Sequence, residues 1–316
     1  MEKLVLDKTD LNILAILARD CRTSYSKIGS LTGLTPKSVN ARVKNMVSCG
    51  VIERFAVRVN PAVFGYRTAF VTISINNGIT RDEVVQRVRQ FGDLAVHVHQ
   101  IGRISGADLV INDSWNANAI KSLSDYLKPA TISGIAVSHV PVSMDPSETD
   151  LRIIRCLLQS GARTEISEIA KQVGISEKTT TRRLDRMKEG RVIDFTLQCD
   201  PAAMIGYVQF CIVIFVEKSH YRSVYECMYA EFQENILYVP SVIDPNDRLL
   251  FVLFGKNVFT VESVLAKVDF FEGVKSADVY ILTKWQYYDD WIIREIYERL
   301  LPPRPLSSKS IKVAGI

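Results

Sequence analysis

The sequence lacks the short signatures of several enzyme and membrane classes. It contains no G-x-x-x-x-G-K-[ST] phosphate loop, no H-E-x-x-H zinc pair and no G-x-S-x-G nucleophile elbow. No apolar run approaches the roughly 20 residues that a bilayer crossing requires. The first residues carry acids and are not followed by an apolar segment with a cleavage site. We therefore expect a cytoplasmic protein with no membrane partner, no catalytic residue, no metal site and no cofactor.

Cysteine occurs without any metal-binding pattern. The six cysteines are scattered, no two form a C-x-x-C pair, and no histidine cluster lies near them. This spacing argues against a zinc finger, and we expect buried thiols. Since 47% of the residues are hydrophobic, the 316-residue chain has enough apolar surface for several cores.

Excess charge is small, but it is unevenly distributed. The net charge of +4 excludes a histone-like polycation. Residues 1–60 contain ten Lys and Arg against five Asp and Glu, a net charge of +5, whereas residues 201–316 contain twelve against fourteen, a net charge of −2. Residues 141–200 contain ten of each sign. The front of the chain therefore carries the basic excess.

One unit of about 140 residues occurs twice, and such a repeat determines the fold. The matching segments are DLNIL from Asp10 and DLRII from Asp150, GLTPKSVNARVKNM from Gly33 and GISEKTTTRRLDRM from Gly174, and NPAVFGY from Asn60 and DPAAMIGY from Asp200. Each half is expected to be the same two-part module.

Periodicity within each unit predicts three helices and then a strand. A first helix begins near Thr9, and a short second helix spans residues 24–31 in one half and 165–173 in the other. Thr35 and Ser176 are suitable N-caps for third helices that end near residues 48 and 189, and β-branched strand composition follows. This order is typical of a winged helix-turn-helix.

The rest of each half predicts a strand, a helix, two strands, a helix and a strand. In the first half these elements fall at residues 70–75, 82–91, 96–100, 109–111, 117–126 and 135–142, and the second half repeats them over residues 209–282. Such an α+β order is typical of a ferredoxin-like βαββαβ domain. The predicted domains are a winged helix-turn-helix at 1–60, a ferredoxin-like domain at 61–144, their second copies at 145–201 and 202–285, and a C-terminal helix and tail at 286–316.

The third helix of each half is the one that would enter a DNA major groove. Its polar and basic residues alternate with apolar residues at core spacing. Asn can pair with adenine and Arg with guanine, so the candidate base-reading residues are Asn40, Arg182 and Arg183. The candidate phosphate-binding residues are Lys37, Arg42, Lys44, Lys178 and Arg186, and Ser38, Thr179 and Thr181 complete the candidate DNA-binding surface. The alternatives are a merely solvated helix face and a protein-interaction module.

The segments from Asp7 to Tyr66 and from Asp150 to Tyr207 resemble the Lrp/AsnC (feast/famine) transcription regulators. The resemblance implies a winged helix-turn-helix followed by a ferredoxin-like effector domain, matching about 280 residues of this chain. Family members ordinarily carry one module per chain and dimerise through the effector sheets. The fusion of two modules therefore implies an internal pseudo-dimer, and the family's higher assembly implies a homo-oligomer, a dimer of these pseudo-dimers.

The resemblance also implies an amino acid or other small-molecule effector, bound near a loop that carries Gly and Asp before a strand. The corresponding residues are Gly102, Gly106 and Asp108 in the first half and Asp244, Asn246 and Asp247 in the second. Glycine and asparagine are equally expected in any hairpin turn, so a purely structural role is the alternative.

An enzyme is the rival interpretation from another class. Some proteins with two Lrp-like halves resemble this architecture and act as sirohaem decarboxylases, in which histidine and arginine handle a tetrapyrrole carboxylate. His97 and His99 point to one face of a predicted strand, with Arg103 nearby. The segments GYRTAFV from Gly65 and GYVQFCI from Gly206 do not match the G-F-x-A-N-x-M pattern of that group.

The sequence thus predicts a DNA-binding transcription regulator that reads an imperfect palindrome with two unequal recognition helices. A C-terminal helix from about Asp289 to Leu300 carries a broad apolar stripe, which either packs on the chain's own sheet or on a second copy.

Overall fold

A computed structural model describes residues 4–240 and 247–301. The helices are α1 (Lys8–Arg19), α2 (Tyr25–Thr32), α3 (Pro36–Ser48), α4 (Arg81–Phe91), α5 (Ala117–Leu127), α6 (Glu148–Ser160), α7 (Ile166–Val173), α8 (Glu177–Glu189), α9 (Tyr221–Phe232), α10 (Val258–Val268) and α11 (Asp290–Leu300). The strands are β1 (Ile52–Val59), β2 (Arg67–Ser74), β3 (Asp93–Gln100), β4 (Ile104–Ile111), β5 (Thr131–Ser138), β6 (Ile193–Cys199), β7 (Val208–Val216), β8 (Arg248–Gly255) and β9 (Val274–Tyr287). The predicted tandem of helix-turn-helix and ferredoxin-like parts is confirmed.

Local sequence signals fix the third helix of each unit. The Thr35 hydroxyl accepts a hydrogen bond from the Ser38 amide at 3.1 Å, and the Ser176 hydroxyl accepts one from the Thr179 amide at 3.2 Å. Gly33 ends α2 in the left-handed conformation, with φ of 72°. Both predicted N-caps are therefore confirmed.

The two ferredoxin-like parts share one seven-stranded sheet in the order β5-β2-β4-β3-β9-β7-β8. The first part of β9 pairs with β7 and its last part with β3, where Val98 faces Trp285. In the described part of the second half, the segment corresponding to β3 forms only an isolated bridge between Ile236 and Leu253.

All four strands of the first ferredoxin-like part begin earlier than predicted. β2 begins at Arg67, β3 at Asp93, β4 at Ile104 and β5 at Thr131, and β5 also ends at Ser138 rather than residue 142. The added positions mix apolar residues with polar residues and glycine, so hydrophobic composition alone misplaced these boundaries.

The strand that follows each helix-turn-helix pairs with its counterpart in the other half. β1 and β6 form a two-stranded antiparallel sheet in which Val57 faces Phe195. The two helix-turn-helix units are therefore joined edge to edge, a contact that composition did not predict.

Each helix-turn-helix unit also packs on the ferredoxin-like part of the opposite half. The core of the first unit includes the buried Leu237 and Phe254 of the second half. The core of the second unit includes the buried Phe64 and Val110 of the first half. The two modules therefore share hydrophobic cores.

The C-terminal helix packs on the chain itself. Trp291, Ile292 and Ile296 are buried in the core of the second helix-turn-helix unit. The Arg294 guanidinium forms a two-pronged ion pair with Asp93 at 3.0 and 2.6 Å. Of the two alternatives for this stripe, packing within the chain is the one observed.

The cysteines differ in burial. All six cysteines are free, but Cys49 is half-buried and Cys227 is exposed, so the expectation of uniformly buried thiols was wrong for these two.

Neither described range contains a helix long and apolar enough to cross a membrane.

Two arginines at equivalent positions join the two helix-turn-helix units reciprocally. Arg22 donates to the carbonyl oxygens of Ala162 and Thr164 at 2.7 and 3.0 Å. Arg163 donates to the Cys21 carbonyl at 2.6 Å, and its guanidinium lies 5.2 Å from the Phe55 ring centroid. Each loop after the first helix therefore holds the other unit.

We expect Arg22→Ala to lower the free energy of unfolding by about 2 kcal/mol, because two carbonyl oxygens lose a charged donor. Arg19→Ala is the matched control, since Arg19 is exposed at the end of α1, and it should change stability by less than about 0.5 kcal/mol. Urea denaturation checks both. Equal losses in the two variants would contradict the proposed role of Arg22.

Candidate nucleic-acid interface

Helix α3 presents a polar, basic face above a buried apolar face. Val39, Val43 and Met46 are fully or almost fully buried in the first unit. The exposed side carries three of the predicted residues, Lys37, Ser38 and Lys44, and Asn40 is half-buried beside them. This arrangement suits a helix that packs on its own unit and touches DNA with its outer face.

Helix α8 presents the corresponding face of the second unit, where the side chains line an open groove. The groove has a volume of about 650 Å³ and is lined by Lys178, Thr181, Arg182, Asp185, Arg186 and Glu189. Four of these residues were predicted to contact DNA, and the structure brings them together. Thr179 is half-buried, and its hydroxyl lies 2.9 Å from the Ser176 hydroxyl within the N-cap.

One arginine of each third helix is bound to an aspartate of the first helix. Arg42 donates to Asp10 at 2.7 Å and to Asp7 at 2.8 Å. At the equivalent position, Arg183 donates to the fully buried Asp150 at 2.8 Å. These ion pairs hold the recognition helices in place.

The electrostatics of the second pair favour its charged form. Burial alone would raise the pKa of Asp150, but hydrogen bonds from Ser147 and Arg183 outweigh burial and keep this pKa below its ordinary value. Arg186 adds a second cation at 3.0 Å from the same carboxylate. The geometry therefore favours a structural role for Arg183 and leaves the exposed Arg182 as the better candidate for reading bases.

The exposed charged side chains differ between the two recognition helices. Among residues 36–48, α3 has no acidic side chain, whereas α8 carries Glu177, Asp185 and Glu189 on its exposed side. Repeat alignment places Asp185 where α3 has Lys44. Since acidic side chains repel phosphate, the second helix presents the less favourable surface to a DNA backbone.

Four of the six candidate effector residues lie within the described ranges, in three different settings. Gly102 lies in the exposed turn between β3 and β4, with φ of 81°, while Gly106 and Asp108 lie within β4. Asp247 forms an ion pair with Arg248 at 2.9 Å. Asp244 and Asn246 lie outside the described residues.

An arginine that sequence reasoning missed supports the turn at Gly102. Arg81 donates to the carbonyl oxygens of Gln100, Gly102 and Ile104 at 3.0, 3.0 and 3.2 Å. No local motif marks this arginine, since its partners are main-chain atoms of a distant hairpin.

The two histidines of β3 share one hydrogen-bonding partner, Gln286. His97 is almost fully buried, with its two ring nitrogens 2.7 Å from the Ser105 hydroxyl and 3.2 Å from the Gln286 side-chain oxygen. The same Gln286 oxygen lies 3.3 Å from a ring nitrogen of His99. Arg103 instead contacts Asn76 and Asn77. The histidines thus have structural partners, and Arg103 does not join them.

Comparison with known proteins identifies both DNA-binding units. Residues 6–53 match a family described as winged helix-turn-helix DNA-binding, and residues 147–188 match the AsnC-type helix-turn-helix domain. An uncharacterized HTH-type transcriptional regulator of Pyrococcus furiosus is 31% identical over 141 residues, which cover 44% of this chain and 91% of that protein. The regulator LrpA of Pyrococcus horikoshii is 31% identical over 133 residues, covering 42% and 91%.

Solved structures give two further similarities. The sirohaem decarboxylase NirDL has a TM-score of 0.49 and 13% identity, covering 92% of this chain and 98% of that chain. AsnC of Escherichia coli has a TM-score of 0.33 and 20% identity, covering 43% and 91%.

The fold and the matched domains define a DNA-binding transcription regulator with two helix-turn-helix units. The chain belongs to the Lrp/AsnC family, because its LrpA-like relatives are aligned over nine-tenths of their own length. Each of these relatives matches less than half of this chain, as expected where two modules are fused.

Substitution of two neighbouring arginines of α8 should distinguish a structural role from a DNA-contacting role. Arg183→Ala should lower the free energy of unfolding by about 2 kcal/mol, because it removes a partner from a buried carboxylate. Arg182→Ala should change it by less than about 0.5 kcal/mol, since this side chain is exposed. Urea midpoints measure both, and the reverse order would disprove the structural role of Arg183.

The buried imidazole of His97 should make stability depend on pH. Burial, reinforced by the neighbouring His99, lowers the pKa of His97 from 6.5 to about 4. Between these values the unfolded chain binds the proton and the folded chain does not, so stability falls as pH drops through this window, by up to about 3 kcal/mol. The free energy of unfolding of His97→Asn, measured by urea titration, should fall less steeply between pH 6.5 and 4.5.

His139→Asn is the control for this pH effect, because His139 is exposed. It should retain the pH dependence of the unaltered chain. If His97→Asn and His139→Asn gave the same slope, the buried imidazole would not be its source.

Proposed function

We propose that this regulator reads an imperfect palindrome with two unequal recognition helices. The observation that carries the proposal is the pair of α3 and α8, held by equivalent ion pairs but presenting different exposed side chains. Asn40 is the candidate reader on α3, and Arg182 is the candidate on α8.

The internal pseudo-symmetry supports two-site reading. The β1–β6 pairing and the reciprocal bonds of Arg22 and Arg163 fix the relative orientation of the two units. A rigid pair of recognition helices suits half-sites separated by about one helical turn, or a multiple of it. A symmetric protein would favour identical half-sites, whereas these two faces favour different ones.

The charge difference supports unequal contributions to affinity. Lys37 and Lys44 lie on an α3 face without acids, so we assign most of the salt-sensitive phosphate binding to α3. On α8, Arg186 is bonded to Asp150 and Lys188 lies 2.6 Å from Asp20. Helix α8 then contributes chiefly through base contact by Arg182.

A small-molecule effector remains part of the proposal. Asp108 is half-buried within β4, and burial raises its pKa to about 7 despite the opposing charge of Arg58. A carboxyl group with a raised pKa is a candidate contact for a bound ligand. Gly102 and Gly106 would then shape the adjoining hairpin.

Exchanging the charges at equivalent positions tests the inequality of the helices. Lys44→Asp should weaken binding to any duplex at least about tenfold, and Asp185→Lys should strengthen it and steepen the salt dependence by about one phosphate contact. Fluorescence titrations at several salt concentrations measure both, on the protein's own upstream region and on an unrelated duplex of equal length.

Lys121→Asp is the matched control, because Lys121 is an exposed lysine on α5 of an effector part. It should leave binding and its salt dependence unchanged. Equal effects at all three positions would show that net charge, not the recognition helices, governs affinity. If the unaltered chain bound neither duplex at low salt, DNA binding would be rejected, and an interaction module or a sirohaem enzyme would be tested next.

Selection from a random duplex library tests the asymmetry of the site. We expect two half-sites of different sequence, and Arg182→Ala should relax preference in only one of them. Recovery of perfect palindromes alone would reject unequal readout.

A further inference from the structure

Helix α10 exposes an aromatic side chain at each end. Phe259 is 78% exposed in its first turn, and Phe270 is 90% exposed just after its last turn. Eleven residues separate them, which is three helical turns and about 16 Å along the axis. Both rings therefore lie on the outer side of α10, away from the buried Val261, Val264 and Val268.

The equivalent helix of the first half lacks these aromatic residues. Both α5 and α10 have eleven residues and an asparagine N-cap, Asn116 or Asn257. At the positions of Phe259 and Phe270, the first half has Asn118 and Pro129. The shared fold therefore does not require aromatic residues there, and the two exposed aromatic side chains are particular to the second half.

The outer face of α10 is self-complementary under a two-fold axis. Two antiparallel copies that place Phe259 against Phe270 also place Glu262 against Lys267 and Ser263 against Ala266. These four side chains between the aromatic residues are all exposed. The charges pair with opposite sign, and the small central residues allow the helix axes to approach closely.

Lys267 is already near an acid of its own chain. Its ammonium lies 3.0 Å from Glu231, and three donors allow it to hold a second carboxylate as well. The equivalent contact in α5 would place Lys121 against Tyr126, which has no such complementarity. The opposite charges of Glu262 and Lys267 thus distinguish α10 from the equivalent helix α5.

We propose that the outer face of α10 is the interface at which a second copy of this chain docks, antiparallel and two-fold symmetric. Phe259 and Phe270 of one copy cover Phe270 and Phe259 of the other, and Glu262 pairs with Lys267 in both directions. The proposal does not depend on DNA binding, since α10 lies on the effector sheet of the second half. One helix face is a small interface, so we expect a dissociation constant on the order of micromolar.

Sedimentation equilibrium of the full chain without DNA tests the proposal. The unaltered chain should dimerise below about 0.1 mM, and Phe259→Asn, which installs the first-half residue, should weaken association at least tenfold. Tyr297→Asn is the control, because Tyr297 is an exposed aromatic residue on α11. Association sensitive to Tyr297→Asn and insensitive to Phe259→Asn would overturn the proposal, as would a monomer at every concentration.

A charge swap tests the antiparallel register. Glu262→Lys and Lys267→Glu should each weaken the dimer at least tenfold, and the double variant should restore the original affinity within about threefold. Failure of the double variant to recover would overturn the pairing. Glu262 is exposed and makes no ion pair in the described part of the chain, so Glu262→Lys should leave thermal unfolding unchanged. Lys267→Glu also breaks the ion pair with Glu231 of its own chain and should unfold at a slightly lower temperature.

Discussion

The architecture depends on the contact between the two DNA-binding units. β1 and β6 satisfy each other's main-chain groups, and Arg22 and Arg163 reach across to the carbonyl oxygens of the opposite loop. A main-chain carbonyl oxygen that loses its donor is left unsatisfied wherever water is excluded, and this destabilises the fold. The same contact that stabilises the chain therefore also fixes where α3 and α8 stand relative to each other.

Sequence patterns predicted the repeated elements but not their mutual contacts. Helix boundaries follow from local signals, and Thr35 and Ser176 mark the start of α3 and α8 because an N-cap acts within its own turn. The pairing of β1 with β6 joins residues about 140 positions apart, and no pattern within either strand indicates which strand it pairs with. Long-range pairing of this kind is set by packing, which periodicity does not encode.

In the recognition helices, the sequence pattern likewise predicted polar residues but not the contacts of each side chain. A polar pattern predicts that Arg182 and Arg183 lie on the outer part of α8, but adjacent helical positions differ by 100° in direction. That rotation aims Arg183 at the buried Asp150 and leaves Arg182 in the groove. The aspartate could have been suspected from the repeat, since both halves carry an acid in the first helix and an arginine in the third, at Asp10 and Arg42 in the first half.

The duplicated fold separates structural requirements from acquired differences. Positions that hold the unit together keep their chemistry in both copies, as the ion pairs of Arg42 and Arg183 and the crossing bonds of Arg22 and Arg163 show. Exposed positions on the same helices have diverged, from Lys44 to Asp185 on the recognition helix. Both residues are exposed at equivalent positions, so neither contributes to the buried core of its unit. In a fused chain each copy can change its outer surface independently, whereas a homodimer must carry every change twice. Fusion therefore permits unequal surfaces on equal scaffolds, and the proposed reading of two different half-sites depends on that inequality.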